Sequence, residues 1–173
     1  MTKFAGIIRG VPGSGKSTFI NSLKQTAPDK SIKVHSTDDL WMVDGKYMFD
    51  FKKLGAKHGE NYDNFCASLD MGVEIVLCDN TNIKARDYNK YVAAAKKRGY
   101  PVVAVVFYPS SVKDHVARNT HDVPEIVLSK MKDNLLKNIE TSDFDQEYLI
   151  YPEQGGKDSK RIRNIIDRIL KSY

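Results

Sequence analysis

Cysteine, tryptophan and long apolar runs are all scarce in this chain. No apolar run approaches the roughly 18 residues of a membrane span, and the first residues lack the apolar core of a secretory signal. A soluble, cytoplasmic protein with no membrane partner is the expectation. The two cysteines, Cys66 and Cys78, have no metal-ligand spacing. Both fall in apolar patterns, which predicts buried free thiols rather than a disulfide framework or a zinc site. His35, His58, His115 and His121 show no metal spacing either, and no role is assigned to them. No internal repeat, low-complexity tract or Pro/Gly/Ser-rich linker divides the 173 residues, so residues 1–173 read as one domain large enough to bury a core. The net charge of +5 suits a polyanionic partner, but any phosphate-handling enzyme shares that property.

What is present is a glycine-rich loop in a telling context. Residues 10–18, GVPGSGKST, match G-x-x-x-x-G-K-[ST] between an apolar run at 4–8 and a helix-like run at 19–23. Glycines let successive backbone N–H groups turn toward phosphate oxygens, and the helix N-terminus adds the positive end of its dipole. Gly13, Ser14, Gly15, Lys16, Ser17 and Thr18 are therefore the expected ATP-binding residues. Lys16 would reach the β- and γ-phosphates, and the Ser17 hydroxyl would take a Mg²⁺ position.

Strand-like and helix-like runs alternate through the rest of the chain. Residues 32–36, 73–78 and 102–107 read as further strands, with a short one at 147–151. The run at 102–107 is so apolar that both faces must be covered. Between them lie helical patterns at 51–71, capped by Asp50, and at 88–98, stopped by Gly99-Tyr100-Pro101. Pro124 opens another at 125–140. Over 157–171, Ile162, Ile165, Ile166, Ile169 and Leu170 make one apolar stripe with Lys160, Arg161, Arg163 and Arg168 elsewhere. A packing helix with a solvated basic face is favoured there over a nucleic-acid helix. The alternation predicts an α/β fold with a parallel sheet of four to five strands and helices on both faces. Ligands bind such sheets at the carboxyl ends of the strands.

Those ends carry the remaining candidates. After the second strand come Asp38 and Asp39. A carboxylate here can take a proton from an attacking hydroxyl; Asp38 is given that chemistry and Asp39 a capping role. After the third strand, Asp79 is placed to hold Mg²⁺ directly or through water, and Asn80, Thr81 and Asn82 extend a polar loop suited to hydrogen-bonding an acceptor. Phosphoryl transfer also needs a cation over the moving group. Residues 111–118 read as a short helix whose Arg118 is the leading lid arginine, ahead of Lys113 and Arg86.

The loop at 10–18, Asp38-Asp39, Asp79-Asn80-Thr81-Asn82, and Arg118-Asn119 with Val123-Pro124 together resemble the phage 5′-polynucleotide kinases. They resemble equally a wider family of AAA-like P-loop kinase domains found in nucleic-acid repair proteins, over a stretch reaching about residue 136. The resemblance implies a P-loop kinase fold with a helical lid at about 111–124. It implies Lys16, Asp38 and Arg118 as catalytic residues, ATP and Mg²⁺ as cofactors, and Ser17 and Asp79 at the metal. The acceptor would be a 5′-hydroxyl end of RNA or DNA, held by Asp38, Trp41, Asp79, Asn80 and Asn82, in the host cytoplasm if the protein is phage-encoded. This chain departs from the phage pattern at Trp41, where an arginine holds an acceptor phosphate, and at Thr120-His121-Asp122, where a second lid arginine is absent. Trp41 then either stacks on a base or serves as a core or hinge residue. A kinase of a small molecule such as a nucleoside or nucleotide is the alternative, and an ATP-binding switch without transfer is a third reading.

Overall fold

Strand β1 (Phe4–Arg9) is buried along its whole length, and so is β6 (Val102–Phe107). Strands with no exposed face must lie at the centre of a sheet covered on both sides. The computed structural model describes residues 3–118, 123–139, 143–152 and 159–173. In it, β2 (Ile32–His35), β5 (Ile75–Asp79) and β7 (Gln146–Ile150) join these two in a five-stranded sheet of order β2-β5-β1-β6-β7. Every neighbouring pair is parallel, so the expected α/β architecture is observed.

Alternate residues of β1 serve opposite faces, as the strand period requires. Phe4 and Ile8 pack with Phe19 and Leu23 of α1 (Lys16–Thr26) and with Ile165, Ile166 and Ile169 of α6 (Ser159–Ser172). Ala5 and Ile7 pack with Phe65 and Leu69 of α2 (Leu54–Asp70) and with Tyr88, Tyr91 and Ala95 of α3 (Ala85–Lys97). The isoleucine stripe of α6 thus belongs to the core, and the described helix begins at Ser159, with 157–158 outside the described residues. Helix α5 (Glu125–Lys137) follows Pro124 and sends Leu135 against Ala104 and Val106; residue 140 lies outside the described residues.

Some boundaries differ from the sequence expectation for local reasons. The pattern read as one helix from 51 starts as a 3-10 turn, Phe51–Lys53, and the Asp50 carboxylate accepts Lys52 N–H at 2.9 Å as a cap should. Helix α3 starts earlier than expected because the Asp87 carboxylate accepts the Lys84 N–H at 2.9 Å and closes its first turn. A two-stranded hairpin, β3 (Met42–Val43) with β4 (Lys46–Tyr47), was not anticipated. Its signal is Asp44-Gly45, both at positive φ (50° and 77°), the backbone that a two-residue hairpin turn demands. The lid region contributes α4 (Val112–Arg118); Asn119, Thr120, His121 and Asp122 lie outside the described residues. No described helix is long and apolar enough to cross a membrane.

Candidate active site

The sheet order brings the ends of three strands together. Strand β5 lies between β1 and β2, with Asp79 in register with Ile8 and Cys78 with His35. Asp79 therefore sits between the glycine-rich loop that follows β1 and the Asp38 turn that follows β2.

The loop is built for an anion. Gly13 has φ 73° and Gly15, which precedes the first residue of α1, has φ 98°. At Gly13 a side chain is also excluded by contact: a Cβ would lie 2.9 Å from the His115 carbonyl and 3.1 Å from the Arg118 Cβ. Lys16 Nζ donates to the Gly10 and Val11 carbonyls of its own loop at 3.1 and 3.2 Å. Burial pushes the pKa of this ammonium down, and Asp79 and Asp38 push it back up. Burial raises the Asp79 carboxyl, Lys16 lowers it, and Asp39 and Asp38 raise it again. The four charges thus share one site. Asp79 Oδ1 and the Ser14 hydroxyl are both buried without a hydrogen-bond partner. Orphaned buried polar atoms are rare in native proteins and mark strain, function or a ligand. An unpaired carboxylate oxygen and a free hydroxyl around a lysine held only by carbonyls fit a phosphate chain and its divalent cation. Ser17 and Thr18, exposed on the first turn of α1, complete that set.

Asp38 is exposed, and its mounting is specific. The preceding Thr37 donates its N–H to Asn80 Oδ1 at 3.0 Å, and its hydroxyl meets His58 Nδ1 of α2 at 3.1 Å. The Tyr47 hydroxyl donates to Asp38 Oδ1 at 3.5 Å. Burial and then the Asp38 charge hold the Tyr47 phenol above its ordinary pKa. The turn Asp39–Trp41 has no side-chain cap, so the capping role expected of Asp39 is not observed.

Three expected acceptor residues take other places. Trp41 is only 2% exposed, and its ring meets Phe49 edge-on at 5.1 Å between centroids; a ring so enclosed cannot stack on a base, and the core reading holds. Asn82 is buried at φ 47° and donates to the Ile8 carbonyl at 2.7 Å, tying the loop to β1. The polar atoms of Asn80 are engaged by Thr37 N–H and by Cys78 Sγ. Asp38 and Asp79 are the members of the set that face the loop.

Arg118 ends α4, which docks directly on the loop at Gly13. Also at this contact is His115, a residue to which sequence reasoning assigned nothing and whose buried Nδ1 has no hydrogen-bond partner. It is buried, its Nε2 accepts the Ser110 N–H at 3.0 Å, and it lies beside the Pro12 and Gly13 carbonyls. Ser14 and Arg118 share a cavity of about 50 Å³ with Tyr108, Ile150, Tyr151 and Pro152. Of the weaker candidates, Lys113 is exposed on α4, and Arg86 is exposed beside Asp87 at 3.7 Å.

A parallel sheet with a glycine-rich loop after its central strand has relatives among known proteins. A family model described as AAA domain matches residues 7–137. The chain belongs to the AAA domain family. Human NEDD4-binding protein 2 is 31% identical to this AAA domain over an alignment of 137 residues that covers 75% of the chain and 8% of that protein. The chain therefore spans less than a tenth of that relative's length. A fungal RNA kinase superposes with a TM-score of 0.61 at 20% identity, covering 100% of this chain and 88% of its own. Shikimate kinase from Acinetobacter baumannii gives 0.61 at 14% identity, covering 99% and 95%. At these identities the likeness is one of fold, and the fold is that of the P-loop kinases.

Proposed function

We propose that this AAA domain transfers the γ-phosphoryl group of ATP to the 5′-hydroxyl end of RNA or DNA. The observation that carries the proposal is the exposed Asp38 carboxylate, which shares the field of the half-buried Lys16 and Asp79, since a protein that only binds nucleotide has no use for it. Lys16 releases its loop carbonyls and takes the β- and γ-phosphate oxygens, with the backbone of residues 13–18 around the chain. Ser17 and Asp79 are the residues that would hold Mg²⁺, which when bound neutralises charge on the β- and γ-oxygens. The acceptor hydroxyl gives its proton to Asp38 as its oxygen bonds to the γ-phosphorus. The bond from that phosphorus to the β–γ bridging oxygen breaks, and ADP leaves. Arg118, reaching over Gly13, supplies positive charge to the equatorial oxygens.

The likeness to the phage kinases and the shared fold with an RNA kinase support a polynucleotide acceptor. The second reading, a small-molecule kinase, draws on Trp41: the phosphate-holding arginine of the phage kinases is replaced by a side chain that is buried. ATP labelled in its γ-phosphate, incubated with a 5′-OH oligonucleotide, with nucleosides and with buffer alone, separates the readings. Label on the oligonucleotide is expected. Label only on nucleosides supports the second reading, and hydrolysis alone removes both.

A further inference from the structure

Tyr47, Phe49 and Phe51 are 39%, 53% and 77% exposed, on and after the hairpin that follows the Asp38 turn. Contiguous exposed rings mark a surface that binds something. Their spacing, charge and position indicate what. Met48 N–H donates to the Trp41 carbonyl at 2.8 Å, continuing the hairpin, and Asp50 keeps the extended backbone. Alternate residues of an extended chain share a face and lie about 6.6 Å apart. A base between two rings needs about twice the 3.4 Å stacking rise of nucleic acid, so the interval suits one base per pair of rings. Lys46, Lys52 and Lys53 are exposed along the same segment. Of its two carboxylates, Asp44 is in the turn, and Asp50 caps Lys52 N–H and lies 3.9 Å from Lys53 Nζ. Met42, Val43 and Met48 are exposed on the segment as well, but three lysines set among the rings favour single-stranded nucleic acid over an apolar protein face. The row also begins at the reacting end, because the Tyr47 hydroxyl touches Asp38, and Phe49 is backed by the buried Trp41 ring.

We propose that the hairpin and the turn after it, residues 42–53, form a stacking platform for the unpaired nucleotides behind a 5′-hydroxyl end. The acceptor is then a single strand or an overhang, gripped through its bases by Phe49 and Phe51 and through its phosphates by the lysines. This rests on the polynucleotide reading above, and the two fail separately.

The test is fluorescence anisotropy of a short 5′-OH oligothymidine labelled at its 3′ end, with the full chain and its Phe51→Ala and Phe49→Ala variants. Each substitution is expected to weaken binding about 5- to 100-fold, with circular dichroism and the KM for ATP unchanged for Phe51→Ala. Trp41, the single tryptophan, is expected to change its emission when the oligonucleotide binds, through its contact with Phe49. Equal binding by wild type and both variants overturns the platform, as does no binding by wild type. A dimer that Phe51→Ala dissolves, without oligonucleotide binding, overturns it in favour of a second copy of the chain. Transfer to the oligonucleotide with an unaltered KM in both variants keeps the kinase and removes the platform. Binding weakened by the substitutions, with no transfer in wild type, keeps the platform and removes the kinase.

Discussion

Asp38 and Asp79 are the same residue type at the ends of adjacent strands, yet their surroundings fit them for different work. Asp79 is enclosed, its carboxyl pushed up by burial and its Oδ1 unpartnered, so a cation or phosphate-bound water relieves it. Asp38 stands in solvent with the Tyr47 phenol donating to one of its oxygens. Changing Asp38 to Asn keeps the shape and removes the basicity. Turnover is expected to fall about 10²- to 10⁴-fold, the range of a general base, while the Kd for ATP changes by less than about threefold. Nucleotide titration and single-turnover transfer on the same preparation check this. A loss of ATP affinity matching the loss of rate would move Asp38 into donor binding. Lys16→Ala is expected to impair both, because its ammonium serves the phosphates in the ground state and during transfer.

Helix α4 is short, and its place depends on what holds it to the loop. His115 lies buried where α4 meets the loop: burial keeps its pKa below the ordinary histidine value, the Pro12 and Gly13 carbonyls pull it back up, and Lys132 and Arg118 press it down again. The folded state therefore resists a proton that the unfolded chain accepts. Stability from this contact is complete above about pH 6.5 and declines as the pH falls through the unfolded value toward the folded one. Protonation also ends the bond that Nε2 accepts from Ser110 N–H. Amide exchange in α4, corrected for intrinsic rates, is expected to quicken below about pH 6.5, and the His115→Gln variant to lose that dependence. An unchanged pH profile in the variant would remove His115 as the cause; a readout confined to α4 is needed because burial lowers His35 and His58 as well. Helix α6 answers a different question. Ile166→Ala is expected to cost about 2–4 kcal/mol, as for a buried isoleucine, with Arg163→Ala leaving oligonucleotide binding alone; the reverse pattern in urea melts and anisotropy would make α6 the nucleic-acid helix. At this scale the sequence was informative where periodicity speaks. The strand at 102–107 and the isoleucine stripe of α6 were legible because burial on a strand or helix repeats. The hairpin was legible only through Asp44-Gly45, because two-residue strands carry no period. The fate of Trp41, Asn80 and Asn82 was illegible, since the same polar or aromatic residue serves a ligand or a turn depending on which way its side chain faces.

Across the whole molecule, the least legible residue is Arg9. It ends the central strand β1 fully buried, where an arginine is unexpected. Its guanidinium donates to the carbonyls of Asn82 (3.0 Å), Ile83 (3.3 Å), Asn138 (2.6 Å) and Ile139 (3.4 Å). It lies 4.9 Å over the Tyr88 ring, and Glu147 of β7 approaches within 3.8 Å. Burial lowers its pKa, and Tyr88, Glu147, Asp143 and Asp87 offset that. One side chain thereby joins the loop after β5, the end of α5, and β7, segments with no proximity in sequence. Its partners are mainly main-chain carbonyls, which leave no trace in residue types. Replacing Arg9 by Met keeps most of the volume and strands those carbonyls, so the fold is expected to lose about 3–5 kcal/mol. Arg9→Lys is expected to recover only part, because a single ammonium cannot span a fork of acceptors. The urea midpoint at constant m-value measures both. If Arg9→Met stayed within about 1 kcal/mol of wild type, the carbonyls would have found water, and the loop that follows Asp79 would be held by its Asn82–Ile8 bond instead. In that event Asn82→Ala becomes the substitution that loosens Asp79 and lowers transfer, and the order of the two effects identifies the brace.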